Sequence, residues 1–232
     1  WEQFKRELPH QQQPFAKRNW GHTLHSVCSY MGKLKPSIAH HLVANFVPSD
    51  GSVLDPFAGV GTIPFEAAMQ GKRSYRSDIS PAAMAIASAN RNPPTKKAVD
   101  FVLARLQEYL AKNEPTESER AEAGAFGLNG KIAEYYEPQT LREVLLARRF
   151  FQEQPPEDNA TTSFVFACML HILHGNRPYA LSRRSHPITP YKPSGAFEYK
   201  SLVEKLSGKV SRSLSESLPS NFMPGLVYRQ DA

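Results

Sequence analysis

A chain of 232 residues with 41% hydrophobic residues is long enough for one large domain or a core with a sizeable insertion, which excludes wholesale disorder. Two cysteines, Cys28 and Cys168, exclude a disulfide framework and a cysteine zinc site, so a reducing cytoplasm is expected; no apolar run approaches the roughly 18 residues that span a bilayer, so no membrane partner is expected. The net charge of +6 divides into +6 over residues 1–98, −5 over 99–169 and +5 over 170–232; two basic ends suit a phosphate-bearing partner, although basic residues also simply solvate surfaces.

Residues 1–24 are polar and aperiodic and read as an arm, which either tracks a nucleic-acid backbone or packs through its tryptophans. Trp1 in place of methionine leads to the expectation of a start further upstream, and no signal peptide is recognisable. Tyr30, Lys33 and Lys35 precede Pro36, which fits the first turn of a helix whose Ile38, Leu42, Val43 and Phe46 recur at helical spacing and should pack on a sheet. His40 and His41 on that helix read as surface or packing residues rather than ligands.

The stretch from Ser52 to Glu66 runs from an apolar strand through a glycine turn into a helix. Val53 and Leu54 read as the end of a buried parallel strand, with Asp55 at the carboxyl end, where open α/β sheets bind ligands. Gly59 and Gly61 allow a sharp turn and close ligand approach. Thr62 reads as the N-cap, and Pro64 is tolerated in the first helical turn. Pro64 also stands where a dinucleotide fingerprint requires its third glycine, and no lysine follows Gly61 as a P-loop would require.

The remaining pattern, Asp55-Pro56-Phe57-x-Gly59-x-Gly61-Thr62, resembles motif I of the S-adenosylmethionine-dependent amino-methyltransferases that modify exocyclic amines of DNA bases, N6 of adenine or N4 of cytosine. The resemblance implies an α/β fold with a Rossmann-like parallel sheet, incomplete in this chain, and a largely helical insertion. It implies S-adenosylmethionine as cofactor, its methionine part wrapped by the turn. Tyr30, Lys33 and Pro36, lying ahead of motif I, resemble motif X, which helps enclose the same end of the cofactor. A plain strand–turn–helix without a ligand is the alternative.

Further along, Ile63–Met69 continues as a helix stopped by Gly71, and a second strand finishes at Asp78, 23 positions after Asp55. At that separation a carboxylate can take both ribose hydroxyls of the cofactor, with Ile79 against the adenine; capping of the next helix at Pro81 falls better to Ser80. A small-residue helix ends at Asn92-Pro93-Pro94-Thr95. The catalytic motif of the family is Asp/Asn/Ser-Pro-Pro-aromatic, but Thr95 stands at its fourth position here, and Glu157 in Gln154-Pro155-Pro156-Glu157. Both read as helix stops or linkers, so no catalytic residue and no metal ligand is assigned.

Residues 99–174 read as mostly helical, with Val99, Val102, Leu103, Leu106 and Leu110 on one face, a mobile loop over Asn113–Gly130, a helix from Pro138 through Phe151 and another over Thr161–His174. The proline-rich segment His174–Gly195 carries Arg177, Arg183, Arg184 and Lys192, which make it either a nucleic-acid-binding target-recognition loop or a structural connection. His186 within it is not assigned as a base. Phe197–Ser215 reads as a basic amphipathic helix facing DNA or solvent, and Gly225–Ala232 as a returning strand. Its terminal Asp231 resembles the motif III residue that contacts the cofactor's adenine amine.

The expected organisation is an arm (1–24), a cofactor-binding half (25–98), a helical insertion (99–215) and a returning strand of the core (216–232). The expected partners are DNA and a second subunit or C-terminal remainder that carries the catalytic motif. The alternatives are an RNA amino-methyltransferase and a non-catalytic cofactor- or nucleic-acid-binding subunit.

Overall fold

The computed structural model describes residues 1–125, 131–154, 159–185 and 192–229. The chain divides into two compact units: Trp1–Pro93 with Ser213–Ala232, and Pro94–Arg212.

The first unit holds α1 (Glu2–Glu7), a 3-10 turn (Thr23–Ser26), α2 (Pro36–Phe46), β1 (Ser52–Asp55), α3 (Thr62–Met69), β2 (Arg73–Asp78), α4 (Pro81–Arg91) and a last strand, Leu226–Arg229. That last strand is β3 of a parallel sheet ordered β1-β2-β3, with Val53 opposite Ser74 and Tyr75 opposite Leu226. The fold is therefore α/β with a parallel sheet, as a Rossmann-like methyltransferase requires. Helix α3 ends in a Schellman motif, Lys72 N–H to Ala67 O at 2.9 Å and Gly71 N–H to Ala68 O at 3.1 Å, with Gly71 in the left-handed region at φ +71°. Ser80 caps α4 through Ala83 N–H at 3.3 Å, as its sequence position suggested.

Val53 packs with Val43 of α2 and Ala67 of α3, and Val47 and Ile63 close the cluster. The expectation that Leu54 is also buried fails: its side chain is 71% exposed. Successive strand residues point to opposite faces, and α2 and α3 cover the Val53 face. Leu54, Tyr75 and Leu226 are register partners on the other face, where Leu226 is 46% exposed.

The arm packs through its aromatic rings. Trp1 and Phe4 meet Phe46, which is nonetheless half-exposed; Phe15 and Trp20 meet His41 and His40. Lys35 ties it down by donating to the carbonyls of His10 and Ala16. Residues after Ser213 return over α3, with Phe222 against Phe65 and Met223 N–H on Ala68 O at 3.1 Å, and deliver β3 to the sheet.

The second unit is helical: α5 (Lys96–Lys112), α6 (Glu117–Ala125), a 3-10 turn (Ile132–Glu134), α7 (Pro138–Glu153), α8 (Ala160–Leu173) and α9 (Leu202–Ser213). The five apolar positions predicted on α5 are all buried, and Thr95 caps its first turn, so Asn92–Thr95 is the helix stop and start that its prolines suggested. The mobile loop expected over Asn113–Gly130 is corrected by α6. Thr116 and Glu119 form a reciprocal capping box, 2.7 Å and 3.2 Å, and Arg148 and Arg149 of α7 pair with Glu122 and Glu119. The basic helix near the end is shorter than expected. Lys209 on it is 5% exposed and Lys200 before it donates to the carbonyls of Ala180 and Ser182, so neither lies on an open cationic face.

Candidate cofactor site

The glycine turn between β1 and α3 is shaped by the end of β2. Ala58 N–H donates to Ser77 O at 3.0 Å and Gly59 N–H to Asp78 Oδ2 at 2.8 Å, while Gly61 N–H closes the turn on Ala58 O at 2.7 Å. Gly59 and Gly61 adopt φ +52° and +75°, a region costly for residues with a Cβ. The other Asp78 oxygen accepts Ser80 N–H at 2.8 Å. A carboxylate has about four acceptor sites in all, so lone pairs remain for a diol.

Asp55 ends β1 and accepts Phe57 N–H at 3.2 Å. Burial raises its pKa; the Phe57 N–H and the Arg76 charge oppose the rise, and the nearby Asp78 carboxylate adds to it. Two carboxylates thus lie close together at the strand ends and favour a cationic ligand. Beside them Phe57 is 78% and Ile79 66% exposed, apolar side chains that a bound aromatic ligand would cover. Pro56, between Asp55 and Phe57 in the sequence, is half-buried.

Tyr30 reaches this site: a Cβ built on Gly59 would lie 3.7 Å from Tyr30 Cε1. Lys33 instead donates its ammonium to His25 O, and Pro36 is buried at the start of α2. Thr62 is not the N-cap expected. Left-handed Gly61 takes that position, Thr62 becomes the first helical residue, 5% exposed, and no side chain caps the helix. Asp231 lies outside the described residues.

Two polar networks under the turn escaped the sequence reading. Arg76 of β2 is 0% exposed; its Nη1 donates to Ala87 O at 3.0 Å and Asn90 Oδ1 at 2.6 Å, and Asn90 Nδ2 donates to Val60 O at 3.1 Å. Burial brings its guanidinium down to about 10, and Arg91 acts in the same direction. Glu66 of α3, 4% exposed, accepts His25 Nε2–H at 2.5 Å and His40 Nδ1–H at 3.0 Å. Burial works against its charge, but the two histidine bonds prevail and hold its pKa near 2, whereas burial lowers that of His25. A Glu four residues after Gly61-Thr62, with histidines upstream, was the available signal.

The nucleic-acid candidates lie in the second unit. Arg177, Arg184 and Lys192 are exposed. Arg183 is committed within the second unit: it donates to Gly195 O and Glu134 O and lies 4.3 Å from the centre of the Phe197 ring. His186 and Tyr191 lie outside the described residues.

Residues 25–131 match the UPF0020 family model, the RMKL-like methyltransferase domain. Over that stretch the chain is similar to a methyltransferase domain. No curated protein and no solved structure matches the chain. Methyltransferase domains of this family normally use S-adenosylmethionine, and that is its cofactor. The residues fit it. Asp78 can accept from the ribose diol, the Asp55 carboxylate would suit the positive methionine end, and the glycines offer amide backbone without a Cβ. Among the described residues no helix is long and apolar enough to cross a membrane.

Proposed function

We propose that this chain supplies the S-adenosylmethionine site of an enzyme that methylates an exocyclic amine of a DNA base. The observation that carries the reading is the Asp55-Pro56-Phe57-x-Gly59-x-Gly61-Thr62 turn with Asp78 bonded to Gly59, two carboxylates framing a left-handed glycine loop. S-adenosylmethionine supplies an electrophilic methyl group. Asp78 holds the ribose, Tyr30 and the Asp55–Gly61 turn enclose the methionine end, and Phe57 and Ile79 flank the base and exclude water. Positioning of this kind carries much of the rate in a direct transfer. The group that grips the target amine comes from polypeptide outside these residues, a further segment or a second subunit. In support, the sequence holds no Asp/Asn/Ser-Pro-Pro-aromatic tetrapeptide, and β1 has a strand neighbour on one side alone among the described residues.

Calorimetric titration with S-adenosylhomocysteine tests the site. Wild type should bind saturably, and Asp78→Ala should weaken binding about thirtyfold, the effect of losing hydrogen bonds to a charged acceptor. A folded wild-type chain that does not bind would refute the reading.

The family of the matching model includes RNA methyltransferases, and this favours RNA as the second reading. The exposed Arg177, Arg184 and Lys192 serve either as phosphate contacts. Replacing all three by alanine should weaken duplex DNA binding and reduce its salt dependence by up to about three phosphate contacts. Fluorescence anisotropy over a salt series measures this, and tighter binding of structured RNA than of DNA would move the assignment to RNA.

A further inference from the structure

Asn90 joins three parts of the first unit. It sits in α4, 4% exposed; its Oδ1 accepts the Arg76 guanidinium from β2, and its Nδ2 donates to Val60 O between the two glycines of the turn. The floor beneath the turn is Arg76 itself, since a Cβ on Gly61 would fall 2.6 Å from Arg76 Nη1. The turn is thus held from β2 by Ser77 and Asp78 at Ala58 and Gly59, and from α4 by Asn90 at Val60. Only the last of these tethers reaches it from a helix.

From this geometry we infer that Asn90 is a positioning residue for the cofactor turn, acting through Val60. The inference rests on the reading of that turn as the S-adenosylmethionine site. Glycines at φ +52° and +75° have access to many other conformations. A loop that leaves its competent form binds more weakly by the fraction of time it spends elsewhere. The Val60 carbonyl contact restricts that freedom where the chain is least constrained by its own side chains.

Asn90→Asp separates positioning from packing. The aspartate keeps an oxygen for Arg76, now with charge assistance, so the buried guanidinium stays paired. It has no N–H for Val60 O and puts a negative oxygen against that carbonyl. The thermal midpoint should stay within a few degrees of the wild-type value, because the Arg76 ion pair offsets the lost Val60 bond. S-adenosylhomocysteine affinity by calorimetry should fall about tenfold, as if the competent loop had dropped to roughly a tenth of the population. Hydrogen exchange at the Gly61 amide should speed up in the free protein. Wild-type affinity and wild-type exchange in Asn90→Asp would overturn the inference and leave the cofactor reading standing. A wild-type chain that binds no S-adenosylhomocysteine would overturn the cofactor reading and this inference with it.

Discussion

Gly61→Ala is expected to destabilise the chain by about 3 kcal/mol and to abolish measurable cofactor binding. Two costs combine. At φ +75° an alanine incurs roughly 1–2 kcal/mol of left-handed strain. Its methyl would also stand 2.6 Å from Arg76 Nη1 and 3.4 Å from Cδ and Cζ. Arg76 has no room to withdraw, being 0% exposed and bound to Ala87 O and Asn90, so overpacking adds about 1–3 kcal/mol. Gly59→Ala is the control. Its methyl meets Tyr30 at an ordinary 3.7 Å, so strain alone remains, about 1 kcal/mol. Urea midpoints of the two variants test the difference; equal midpoints would show that Arg76 yields and is not a rigid floor.

Glu66→Ala should cost about 3 kcal/mol, since it removes two hydrogen bonds at once and leaves the buried His25 Nε2–H without an acceptor. The same cluster sets the acid limit. Glu66 is held near 2 in the fold against 4.5 unfolded, so its stabilisation is complete above about pH 4.5 and disappears as the pH falls through 2. His25 and His41 are lowered from 6.5, chiefly by burial, so below pH 6.5 the unfolded chain takes up their protons first and stability already begins to fall. Wild-type stability should therefore decline from about pH 6.5 downward and steepen below 4.5. Glu66→Ala should lose the lower part of this dependence. Denaturant midpoints measured from pH 7 to 3 check both, and a Glu66→Ala curve parallel to wild type throughout would contradict the assignment.

The parts of the fold that could be read in advance are those with local chemistry. Gly71 stops α3, Pro36 and Ser80 start helices, and the apolar face of α5 repeats at helical spacing. Asp55 and Asp78 end their strands because the strands are short and bounded by turn residues. What could not be read is polar burial. Arg73-Ser74-Tyr75-Arg76-Ser77-Asp78 resembles an exposed strand by composition, and only the path of α4 and the glycine turn over it puts Arg76 inside. Glu66 likewise sits in a helix whose neighbours are all apolar or small, and its partners come from 41 and 26 positions away. Leu54 fails in the opposite direction, because strand alternation leaves it on a face that none of α2 to α4 covers. The α6 helix was signalled by Thr116 and Glu119 but hidden by its lack of any buried residue.

The sheet pairs Tyr75 with Leu226, and the whole second unit, Pro94–Arg212, separates them in the chain. On a ribosome adding about 5–20 residues per second, those 119 residues take roughly 6–24 s to synthesise. Throughout that interval the nascent first unit has β1 and β2 but no β3, and the outer edge of β2 is open for pairing. The sheet of the first unit is therefore completed only after the second unit has been synthesised, although its first strand is made earlier.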